Sequence, residues 1–152
     1  GTRMKPEVTT VMGGYVGTLF GSILPHLNSE YSMGDTGLMA MSFMMMAQEF
    51  DRAADIRLQE NEDMRAVFSH AADIIDNADL AGLLRKAASG VDASMRIHAL
   101  NAANDELKAV LIELHAYVEH SKAHWAPELE MRIWSVICAG TERRKLDFPK
   151  LF

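Results

Sequence analysis

The chain is short of the residues that build many functional sites. Cys138 is its single cysteine in 152 residues. One cysteine closes no intramolecular disulfide and makes no Cys-x-x-Cys motif. It stands in the apolar run Val136-Ile137-Cys138-Ala139, where a thiol is expected to be buried and inert. An unpaired cysteine fits a reducing compartment, so a cytoplasmic location is expected. Positive charge is also scarce. Fifteen Lys and Arg face twenty-one Asp and Glu, for a net charge of −6. That balance repels phosphate backbones, and nucleic acid is not expected as a partner. The one basic cluster, Arg143-Arg144-Lys145, is explained by the dipole at a helix C-terminus.

Catalytic signatures are missing as well. There is no Gly-x-Ser-x-Gly elbow and no phosphate-binding glycine loop after a strand. The Glu-x-x-His spacing of di-iron carboxylate bundles is absent: Ala116 follows Glu113 at i+3, and Lys122 follows Glu119. No pair of acids or histidines has a spacing that demands a reaction, which leans against an enzyme. Clean period-two alternation, the strand signature, is absent too.

What remains is helical spacing throughout. Hydrophobic residues make up 49% of the chain, enough to bury a core at this length. The expected fold is all-α: a single-domain antiparallel helical bundle of five to six helices. Gly1-Thr2-Arg3 ahead of Met4 read as a cloning remnant, leaving residues 4–152 as the domain.

The first helix is expected over residues 8–24, ended by Pro25. It carries no charge, and Gly13, Gly17 and Gly21 repeat a G-x-x-x-G spacing. Several hydroxyl residues and the glycines weaken a membrane-spanning reading, so a buried helix and no membrane are expected. Four glycines, Gly14 included, cost about 1 kcal/mol each inside a helix. Such a cost suggests a close approach by another helix, with tight internal packing the simpler account.

A second helical region starts near Asp35, capped by Ser32 or Asp35. Its seam reads Met39, Phe43, Met46, Phe50 and Ala53, then the polar Arg57 and Glu60, then Met64 and Val67. A break or sharp bend is expected near Asn61, where Asn-Glu-Asp resembles a helix start. Met39, Met41, Met44, Met45 and Met46 point all round the helix, which suits a central position or a subunit interface. A short helix over 79–89 follows, closed by Gly90. The cleanest seam is Ala93, Ile97, Leu100, Asn104, Leu107, Leu111, Leu114 and Val118, with one polar member. The last helix opens at Pro127 and ends near Lys145. The apolar tail, 148–152, needs cover.

Three sets of candidate functional residues follow. Arg57, Glu60 and Asn104 occupy seam positions, and if buried they must be paired; they are expected to form a polar layer that sets helix register. Gly13, Gly17, Gly21, Met39, Phe43, Met46 and Phe50 are the candidates for an interface or a pocket. His120 and His124, with Glu113, are the weaker candidates for a metal site. On a helical wheel Glu113, Tyr117, His120 and His124 share one flank, and His115, Glu119 and Lys122 the other. No cofactor is expected, a metal ion aside.

The leading expectation is a self-associating interaction or structural module, a homo-oligomer or the dock for a partner helix. A binder of a small apolar ligand, held between helices 8–24 and 36–60, is the alternative. A metal-dependent enzyme using His120 and His124 comes third.

Overall fold

The computed structural model describes residues 7–147. The expected cloning remnant and the apolar tail, 148–152, lie outside them. The described chain is all-α: α1 (Val8–Thr18), α2 (Glu30–Ile74), α3 (Ala78–Ala88), α4 (Ile97–His120) and α5 (Ala126–Arg144). It divides into two compact units. Among the described residues, one is formed by 7–53 with 146–147, the other by Ala54–Lys145.

In the first unit, α1 gives way to a π-helical turn, Leu19–Ile23, and a 3-10 turn, Leu24–His26. Pro25 explains the change, because it has no N–H to donate and its ring crowds the carbonyl one turn earlier. Only Glu30 and Asp35 carry charge between Val8 and Gln48. Such a segment is expected to be covered, yet α1 has no buried residue. The large apolar side chains of α2 in this unit, Leu38, Met39, Met46 and Phe50, are exposed. The buried positions here are few: Leu19, Thr36, Ala40 and Ala53. Thr18, Thr36 and Ser42 return their hydroxyls to their own helix, donating to the carbonyls of Gly14, Ser32 and Leu38 at 3.1, 2.8 and 2.8 Å. These groups therefore make no demand on water or a partner. Gln48 closes the unit. Its side-chain nitrogen donates to the Asp147 carbonyl and its oxygen accepts from the Asp147 N–H, both at 2.8 Å.

The second unit has a closed core. Phe68 of α2, Leu84 of α3, Leu100 and Leu114 of α4, and Leu129 and Ile133 of α5 are fully buried. The α4 seam packs as its spacing requires from Leu100 to Val118. The Asn77 side chain accepts from the Leu80 N–H at 3.0 Å and caps α3. Arg85 donates to the Ala72 carbonyl at 2.9 Å, satisfying a group left open near the end of α2. Tyr117 stacks on Trp125, with ring centroids 6.1 Å apart.

Three expectations need correction. The helix does not break at Asn61: α2 is helical from Glu30 to Ile74. An asparagine disrupts helices by bonding to nearby backbone. Here its side chain bonds to Asp92 and Asn104 instead, at 3.0 and 2.9 Å. The α4 seam does not begin at Ala93. The chain before Ile97 is non-helical, and in it Asp92 is drawn toward Asn61 and Arg65. Cys138 is exposed rather than buried, because α5 turns Leu129 and Ile133 inward and Cys138 lies off that face.

Candidate functional site

A chain of polar side chains runs through the core of the second unit. Arg65 grips Asp92 with two nitrogens, at 2.8 and 3.1 Å. Asp92 also accepts from the Asn61 amide at 3.0 Å. Asn61 in turn accepts from the Asn104 amide at 2.9 Å, and Asn104 donates to Glu60 at 3.1 Å. Glu60 ends the chain by accepting from Arg144 twice, at 2.6 and 2.7 Å. Beside it, Arg57 donates to the Asn101 side chain at 2.5 Å. Arg57, Glu60, Asn61 and Asn104 are all buried. Each buried charge thus meets hydrogen-bonding partners, which its desolvation requires.

The electrostatics follow from these contacts. Burial pushes the Glu60 carboxyl up, but the Arg144 guanidinium, with Lys108 and Asn104, outweighs it and holds the group below its ordinary value of 4.5. Asp92 is held below 3.8, first by the Arg65 hydrogen bonds, which overcome its burial, and further by Asn61. Both are anions at neutral pH. Gly140 of α5 lies against this carboxylate: a Cβ there would sit 3.4 Å from Glu60 Oε1, in ordinary van der Waals contact.

Sequence reasoning named Arg57, Glu60 and Asn104, and the structure brings Glu60 and Asn104 into contact. It did not name Asn61, Arg65, Asp92 or Arg144. Asn61 has the local look of a helix start and Arg144 that of a dipole partner, and neither signal points across helices. The adjacent pair Glu60-Asn61, set where the seam turns polar, is the signal that could have found Asn61. A cavity of about 360 Å³ lies beside Glu60 and Arg144, walled by Leu111, Ile112, Val136 and Ile137.

The interface candidates lie in the first unit. Cβ atoms built at Gly13, Gly17 and Gly21 would meet none of the described residues within 4 Å. Internal packing therefore does not account for these glycines. Met39, Met46 and Phe50 are exposed, and Phe43 is half-buried against Tyr15, with ring centroids 5.5 Å apart. An open groove runs along α2 past Leu38, Met39, Phe43 and Met46. α1 does not line it. One helix among the described residues, Val8–His26, is long and apolar enough to cross a membrane, and Leu19 is its single buried residue. The expectation of a buried first helix is corrected on this point.

The metal candidates do not gather. α4 ends at His120, and Ser121 is extended, so His120 and His124 lose the one-turn spacing a shared ion needs. His120 Nδ1 is 2.7 Å from the Ala116 carbonyl of its own helix. His120, His124 and Glu113 are all exposed.

Compared with known proteins, the chain matches no family model, no curated protein and no solved structure.

Proposed function

We propose that the chain is a self-associating helical module. The segment from α1 through the first half of α2 packs against the same segment of a second copy. One observation carries this reading: a stretch of 8–48 with two charges leaves Tyr15, Ile23, Tyr31, Leu38, Met39 and Met46 open to solvent. Contiguous exposed apolar surface of this kind marks interaction sites. The glycine positions support close helix approach, because no side chain fills the space above them. The near absence of charge offers little to select a foreign partner and nothing to repel a copy of itself.

The magnitudes are compatible. Association costs about 4–15 kcal/mol in lost freedom. Burying one Leu, Met or Phe side chain returns about 1.5–3 kcal/mol, less when it is already half covered. Leu38, Met39, Met46 and Phe50 from each of two copies therefore suffice at moderate affinity.

Sedimentation velocity of the full chain in detergent-free buffer is the test. The expected result is a concentration-dependent shift from 16.9 kDa to a multiple of it. The pair Leu38→Glu and Phe50→Glu is expected to leave a helical monomer. A wild-type monomer at every concentration overturns the proposal. So does a monomer that floats with phosphatidylcholine vesicles, which would assign the surface to a bilayer.

A further inference from the structure

Helices α4 and α5 each carry two side chains one turn apart that meet at one place. His115 and Glu119 are the pair on α4; Glu130 and Trp134 are the pair on α5. The ligand atoms of His115, Glu119 and Glu130 lie within 4.8 Å of one another. His115 Nε2 is 3.6 Å from Glu119 Oε1, beyond a normal hydrogen bond. That nitrogen is shut off from solvent and has no hydrogen-bond partner. A buried polar atom left without a partner calls for an explanation. Trp134 packs against the imidazole at 88°, with centroids 5.3 Å apart, which holds the ring plane. Among the described residues, no Lys or Arg forms an ion pair with Glu119 or Glu130; the nearby Arg132 is turned to Glu128 at 3.0 Å.

We propose that His115, Glu119 and Glu130 bind one divalent first-row transition-metal ion, of which zinc suits the set best. A neutral imidazole nitrogen and two carboxylate oxygens are ordinary zinc donors. The ion's two charges balance the two carboxylates. Three protein ligands leave a fourth position for water. Bond lengths of about 2.0–2.2 Å put ligand atoms roughly 3.4 Å apart in a tetrahedral site. The His115–Glu119 spacing is already close to that, and a rotamer change of Glu130 closes the rest. The imidazole donor rules against calcium or magnesium, which prefer oxygen alone.

Calorimetric titration of Zn²⁺ into the chelator-stripped full chain tests the site. One equivalent is expected to bind, and affinity is expected to fall at least about tenfold in both His115→Gln and Glu130→Gln. The double variant His120→Ala, His124→Ala is expected to bind as the parent does, which separates this site from surface histidines. Co²⁺ is expected to quench the fluorescence of Trp134, and Trp134→Phe to remove that quenching while zinc still binds. Circular dichroism checks that the variants remain helical. Absence of stoichiometric zinc binding overturns the proposal. So does binding that survives His115→Gln, or that disappears with His120 and His124.

Discussion

Residues 8–48, which span α1 and the start of α2, and the 24 residues of α4 are both apolar and mostly helical, yet they have opposite fates. α4 buries six seam residues, Leu100 through Val118, and leaves its flanks to charge. α1 buries none. The difference lies in patterning. α4 concentrates its leucines on one stripe, which one neighbouring surface covers. In α2 the methionines surround the helix, and no single neighbour covers every side. An all-round apolar helix needs more than one contact surface, and the described chain supplies too few. The comparison teaches that apolar content builds a core only when it is arranged on faces that the same chain can meet.

The largest contrast is expected from leucine truncation. Leu114→Ala in α4 is expected to lower stability by about 2–5 kcal/mol, read by urea unfolding. Leu38→Ala, 64% exposed, is expected to change it by less than about 0.5 kcal/mol in dilute protein. It is expected to weaken association at high concentration instead. A Leu38→Ala cost equal to that of Leu114→Ala in dilute protein would break the comparison.

A second pair concerns the polar chain. Glu60→Ala leaves Asn104 and Arg144 without their shared acceptor. A loss of about 1–3 kcal/mol is expected, moderated because Arg144 keeps part of its access to water. Gly140→Leu is expected to cost a similar amount by pressing on Glu60. Gly17→Ala, placed where a Cβ meets nothing, is expected to raise helix stability by up to about 1 kcal/mol. The same change is expected to weaken self-association. Opposite signs in the two assays would sharpen the claim that the glycines serve contact between copies.

The smallest effect is on pH. Both Glu60 and Asp92 have native carboxyls held below their unfolded values of 4.5 and 3.8. Their contribution is therefore complete above those values and is lost as pH falls toward the lowered native ones. The urea midpoint is expected to stay level from about pH 7 to about pH 5 and to drop below that, less steeply in Glu60→Gln. A variant whose acid profile matches the parent's would remove Glu60 from this role.

Much of this was legible in the sequence where one helix decides the outcome. The all-α class followed from spacing, and α3 and α5 fall within one or two residues of their expected bounds. Asn104 stood out because it interrupts a leucine seam. What could not be read is contact across helices. Asn61 looked like a helix start until Asp92, 31 residues away, was seen to occupy its side chain. Arg144 carried an adequate local explanation and so concealed its grip on Glu60. The same holds for His115: its partner on α4 is local, but Glu130 and Trp134 arrive from another helix. Exposure of α1 was hidden for a different reason. An uncharged helix reads as buried, and only the structure shows that the other described residues leave it without a buried side chain.

Hydrogen exchange measured across a dilution series tests the central claim most directly. Amides of α1 and of residues 30–53 are expected to gain protection as protein concentration rises, while those of 54–145 hold the same protection throughout. Protection in 8–53 that does not change with concentration would contradict the account, because the apolar segment would then need no second copy to cover it.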